Sequence, residues 1–357
     1  MCYIISRIGS FEMNENNREQ EKIIINKAKS NSYIGIVELP SMLEDSKKIK
    51  INITKKKYKD CIKNFRDVIS AEAPNYNLTL FERNIKELCF KEQKLSKLND
   101  GRFDNGGTRQ GYLSLPENYI YLNKDDYLHI IFHELFHESS FIYTPDIVFC
   151  GFAQCSKTQK IGQALTEGYT SVLTKRYFNY EREGMYFYPV ESLLVTMLEE
   201  IVGIEKMEEL YSKADLYGLK KELVKYNTDQ KTIDFIRNCD FISNTIYVCK
   251  EENNTKEIQR YLIFAISFLI ETFCLKMKNE ASNNEISIEE AKKTCVEFAD
   301  FFDCSFAPLG VNYKFATKAV SEKMIVKIFP ESNIIVQNEA QVVSKTKRLI
   351  QRFLNKK

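Results

Sequence analysis

The chain is poor in histidine. Three occur in 357 residues, and all of them, His129, His133 and His137, lie in one short segment. A site that needs a fourth imidazole, or imidazoles gathered from distant parts of the chain, is excluded. Glycine and proline are also sparse, at 13 and seven residues, against about 12% of an average chain. So few breakers point to long helices and few tight turns. Net charge is almost absent, with 51 Lys and Arg against 49 Asp and Glu, a balance of +2. That argues against a general binder of nucleic acid or of anionic membranes. The ten cysteines include no Cys-x-x-Cys pair. Neither a disulfide scaffold nor a cysteine-based zinc site is indicated, and they read as buried reduced thiols. Long hydrophobic runs are missing too. The most apolar uncharged stretch, Tyr261 to Ile270, stops at Glu271, short of the roughly 20 residues of a membrane span. The apolar run after Met1 is too short for a signal-peptide core, and the C-terminus carries no lipidation motif. The expectation is a soluble, cytoplasmic protein with neither a membrane nor a nucleic acid as partner.

Hydrophobic residues make up 44% of the chain, enough for a real core. Residues 13–21 are polar and read as a loose tail. Ile23 to Ile25 and Tyr33 to Leu39 read as short strands, and Ile49, Ile51 and Ile53 alternate with polar residues as a half-buried strand does. The lysines around them (Lys47, Lys50, Lys56 and neighbours) read as a solvated strand edge and helix face. Tyr58, Ile62, Phe65 and Ile69 follow helical spacing, as do Phe81, Ile85 and Leu88. The Gly- and Asp-rich segment from Gly101 to Gly111 lacks the Lys-Ser/Thr of a phosphate-binding loop and reads as a turn. Tyr112 to Leu115 and Tyr119 to Leu122 read as extended. Helices are expected from near Asp125, then over Lys160–Phe178, Pro189–Ile204, onward to about Leu223, over Ile258–Met277 and Ile288–Phe302, and at the basic C-terminus. Phe141 to Gln159 reads mostly as loop, and Ile325–Phe329 and Ile334–Val336 as short strands. The Asn- and charge-rich stretch Lys250–Lys256 marks a candidate boundary. It divides the chain into a polar tail (1–22), a catalytic region (23–250) and a mostly helical region (251–357).

The chemistry is concentrated in His133-Glu134-Leu135-Phe136-His137. This is an HExxH motif on a helix whose other side carries Leu128, Ile131, Phe132, Leu135 and Phe136. Four helical residues turn about 400°, so the two histidines share a face one turn apart and can bind one zinc ion. Glu134 is rotated about 100° from His133, which directs its carboxylate to a water activated by the metal rather than to the metal itself. At three histidines in the whole chain, a chance match is rare. A catalytic zinc site needs a third protein ligand and one open position. With no histidine beyond His137, that ligand is a carboxylate or else His129. Glu167 is the leading carboxylate, on the next expected helix, with a connection long enough to fold that helix back. Glu138, Asp146, Glu181, Glu183 and Glu191 are the alternatives. His129, one turn before His133, reads as a packed neighbour.

With these residues in hand, the chain resembles the zincin metallopeptidases, of the gluzincin type, over roughly Asp125 to Phe178 and more weakly to Gly203. The string from Ala164 to Ser171 resembles the gluzincin helix whose Glu is the third zinc ligand, and the resemblance assigns that role to Glu167. The metzincin class is excluded, because Ser140 and Tyr143 stand where its Gly and His belong. One departure from the gluzincin pattern is Ser171, at the position where many members carry an acid that orients a ligating histidine. Ser171 or Glu138 is the substitute that the sequence offers. The resemblance implies an α+β fold of two lobes, a mixed N-terminal lobe ending in the active-site helix and a mostly helical C-terminal lobe. It also implies Zn2+ as cofactor and a peptide or protein substrate. Glu134 would be the catalytic base, and a tyrosine, first of all Tyr188, the stabiliser of the oxyanion. An edge strand within Gly111–Asn123 would pair with the substrate backbone. The competing reading is a non-catalytic zinc- and peptide-binding protein on the same scaffold.

Overall fold

The structure is a computed structural model. It describes residues 36–39, 55–93, 111–114, 118–123, 128–144, 146–156, 159–178, 188–248, 255–306 and 317–330. The readings of the tail at 13–21, of Ile23–Ile25, Ile49–Ile53, Gly101–Gly107, Ile334–Val336 and the C-terminal helix lie outside the described residues.

Helical spacing of large apolar residues forms α1 (Lys56–Glu72), which buries Tyr58, Cys61, Ile62, Phe65 and Ile69 on one face. A short α2 (Thr79–Asn84) follows. Three strands, β1 (Cys89–Gln93), β2 (Gly111–Ser114) and β3 (Tyr119–Asn123), form one sheet in the order β1-β3-β2. β3 runs parallel to β1 and antiparallel to β2, so among the described strands β2 lies at an edge. Helix α3 (Leu128–Ser139) carries the motif and packs on β2 and β3 on one side and on α1 and α2 on another. Every described side chain from Ile130 to Ser140 is buried, the polar ones included. A helix buried all round is a central helix, not a surface one.

The stretch read as loop is an antiparallel meander. Strands β4 (Phe141–Tyr143), β5 (Ile147–Cys150), β6 (Ala153–Ser156) and β7 (Lys160–Ile161) pair in sequence order. Their brevity hides them, since two to four residues are too few to show an alternation. Lys160 and Ile161 belong to β7, and the next helix, α4 (Gln163–Phe178), starts only after Gly162. The expected helix at Pro189–Ile204 is two: α5 (Pro189–Val202) and α6 (Ile204–Ser212), divided at Gly203, whose φ is +96°. α7 (Leu216–Val224) and α8 (Asp229–Val248) come next, the latter a helix that the sequence reading passed over. α9 (Thr255–Ser282), α10 (Ile288–Phe306) and α11 (Thr317–Ile328) pack on one another. α11 corrects the strand expected at Ile325–Phe329. Ile325, Ile328 and Phe329 are buried while Val326 and Lys327 are exposed, which is helical spacing. Residues 36–39 form no strand. The whole is a mixed, mainly helical α+β fold, and one apolar cluster runs from Tyr58 through α3, α4 and α5 to Phe329. Among the described residues, no helix is long and apolar enough to cross a membrane.

Candidate metal centre

Two neighbouring helices supply the centre. α3 presents His133 and His137 on one face, and α4 crosses it with Glu167 turned inward. The crossing is held by three devices. Asp240 of α8 accepts hydrogen bonds from the backbone N–H of Gly162 (2.6 Å) and Ala164 (2.8 Å) and so caps the start of α4. At the far end, Arg176 donates to Glu199 of α5 (2.6 Å) and Glu208 of α6 (3.1 Å), with all three side chains largely buried. In the middle, Gly168 lets α5 approach so closely that a Cβ there would lie 2.5 Å from the backbone carbonyl of Glu191.

The result is a compact triangle of donor atoms. His133 Nε2 and His137 Nε2 are 3.2 Å apart, and Glu167 Oε2 is 3.4 Å from the first and 3.3 Å from the second. Ligands at about 2.0–2.1 Å from a tetrahedral zinc ion stand about 3.3–3.4 Å from one another. The triangle therefore has the edge lengths of one face of such a tetrahedron, and the residues fit the ion. Glu167 Oε1, also buried, has no hydrogen-bond partner among the described residues. The electrostatics agree. Burial alone would raise the Glu167 carboxyl, but His137 and His133 beside it outweigh that and hold it well below the usual range. Burial lowers His133, and the charge of His137 adds to this, against the pull of Glu167. An uncharged His133 facing an ionised Glu167 is the kind of pairing that suits a cation.

The other expected residues fall as follows. Glu134 is buried on α3, near enough to His133 for its charge to favour the protonated ring. Tyr188, the residue before α5, stacks its ring on His133 with 6.0 Å between centroids and 22° between planes. Tyr169 faces away, into Phe152 and Tyr211, as its rotation from Glu167 predicts. Among the alternatives to Glu167, Asp146 is exposed in the β4–β5 turn, and neither Glu138 nor Glu191 joins the cluster. Glu181, Glu183 and the side chain of His129 lie outside the described residues. Glu138 is fully buried, and burial pushes its carboxyl up to about 8 against the pull of Asn118 and Arg83. Ser171, the other substitute offered by the sequence, is buried with its hydroxyl unpartnered among the described residues. Neither residue orients a ligand. Cys150 does touch one: its Sγ is 3.7 Å from His137 Nδ1 and 3.5 Å from the His137 carbonyl oxygen. No spacing rule in the sequence links Cys150 to the motif, because the contact depends on the β4–β5 hairpin.

Comparison with known proteins adds no relative. No protein-family model, no curated protein and no solved structure matches the chain.

Proposed function

We propose that the protein is a zinc-dependent metallopeptidase of the gluzincin kind. In this reading α3 ends a mixed lobe and the helices from α4 onward form the second. The single observation that carries the reading is the triangle of His133 and His137 from the HExxH helix with Glu167 from α4, its edges 3.2–3.4 Å. Bound there, zinc would polarise the scissile carbonyl and lower the pKa of a water molecule. Glu134 would take the proton from that water and deliver it to the leaving amine. Tyr188, whose ring stacks on His133, would donate its hydroxyl to the developing oxyanion. β2, at the edge of its sheet among the described strands and packed on α3, would offer backbone groups to an extended peptide.

The test is metal content and peptide hydrolysis by the purified protein. One equivalent of zinc and cleavage of a peptide library are expected. Glu134→Gln should keep the zinc and lose turnover by about 10²–10⁴-fold, and His133→Ala should lose both. Stoichiometric zinc with no cleavage of any peptide would replace the peptidase by a zinc- and peptide-binding protein. Failure to take up zinc on reconstitution would overturn both.

A further inference from the structure

Cys150 ends β5 and lies behind His137, on the side of the ring away from Glu167. Its sulfur has two partners on that one residue, the ring nitrogen Nδ1 at 3.7 Å and the carbonyl oxygen at 3.5 Å. A carbonyl oxygen only accepts, so the thiol proton goes to it. The sulfur then has lone pairs left to face Nδ1, and the ring nitrogen is the donor. We infer that Cys150 is a positioning residue of the centre: its thiol holds His137 as the Nδ1–H tautomer and so aims the Nε2 lone pair at the point between His133 and Glu167. The metal-binding part of this inference rests on the zinc reading above, whereas the tautomer does not.

The sulfur is placed by more than its own contacts. Cys150 pairs with Phe141 across the β4–β5 hairpin, and the backbone N–H of Gly151 donates to the Ser140 carbonyl at 3.1 Å. Gly151 sits at φ +55°, and a Cβ there would come 2.4 Å from the Tyr211 ring, so only glycine allows this turn. The Cys150 carbonyl accepts from Thr166 Oγ1 at 3.1 Å, one residue before Glu167. The same residue thus grips the back of one proposed ligand with its side chain and the helix of another with its backbone. A metal-bound imidazole needs its second nitrogen protonated and held, and the holder is commonly a carboxylate, a carbonyl or water. Here a thiol occupies that place, while the Ser171 hydroxyl, a substitute offered by the sequence, has no hydrogen-bond partner among the described residues.

The experiment is long-range ¹H–¹⁵N NMR of the full-length protein without metal, labelled at histidine, with His133→Ala and His129→Gln used to assign the three rings. His137 is expected with Nδ1 protonated. Cys150→Val should turn that signal into a mixture or into the Nε2–H form, and Cys150→Ser, whose hydroxyl can give and accept as the thiol does, should restore it. Zinc competition against a chelator should show affinity about 10–100-fold weaker in Cys150→Val and largely recovered in Cys150→Ser, with the unfolding midpoint of each metal-free variant as control for folding. A His137 found as Nε2–H in the unsubstituted protein overturns the inference without needing any variant. So does a folded Cys150→Val with unchanged tautomer and unchanged zinc affinity. The expected tautomer in a protein that takes up no zinc would sustain the inference about Cys150 and sink the peptidase reading.

Discussion

Glu167 is a carboxylate that burial by itself would drive toward neutrality, and two imidazoles keep it charged. Removing it should therefore do more than subtract one ligand. Glu167→Ala is expected to weaken zinc binding by more than the about 10–100-fold typical of losing an outer partner, and chelator competition measures it. Arg176 is the opposite case, a cation between two acids. Its loss leaves Glu199 and Glu208 buried side by side without a counter-charge. Arg176→Leu should cost about 3–5 kcal/mol of stability in a denaturant titration. The donor pair His133 and His137 and the acid Glu134 are legible in the sequence because helical geometry converts a four-residue spacing into a shared face. The role of Cys150 is not, since what brings it there is a register, Phe141 opposite Cys150, and strand register has no local signature at this length.

Elements place these side chains, and the contacts between elements can be tested in turn. Gly168 is the point where α4 and α5 come nearest. Gly168→Ala should force the helices apart at a cost of about 1–3 kcal/mol, and because Glu167 is the adjacent residue, zinc affinity should fall along with the unfolding midpoint. α1 is tied to β1 through Glu92, which meets Lys57, Tyr58 and Lys55, the last at 2.9 Å. Hydrogen bonds from Lys57, Tyr58 and Lys55 lower its carboxyl from 4.5 to about 2. A depressed folded-state value adds stability above the unfolded value, and that contribution disappears as pH falls through the folded one. Glu92→Gln should then be less stable than the unsubstituted protein at pH 7, and the gap should close as pH drops from 4.5 toward 2. The long helices were readable because their apolar spacing repeats over several turns, as in α1 and α9. The meander β4–β7 is not readable in that way, and the stretch Ile325–Phe329 at the end of α11 reads as a strand because a short β-branched run such as Ile325-Val326 looks extended until its burial is known.

For the whole molecule, the two proposed ligand helices are separated in the chain by four strands and are joined again by one continuous core. A site assembled only in the folded state couples metal binding to folding. Free zinc at 100 times its dissociation constant should add about 2.7 kcal/mol to stability, seen as a rise in the melting temperature that a chelator reverses. The centre is also long-range in sequence, since the meander lies between His137 and Glu167.

Helix α3 is buried on every side over Ile130–Ser140, and this bears on how fast its backbone meets solvent. No fraying of an outer face can release these amides one by one. Their deuterium uptake should follow opening of the entire core, and it should be the slowest in the protein. The solvent-facing start of α8, where Asp229, Gln230 and Lys231 are exposed, should exchange early and ignore the metal. Added zinc should slow the α3 amides by the factor it adds to the folding equilibrium, so isotope exchange along this one helix would report metal occupancy without any substrate.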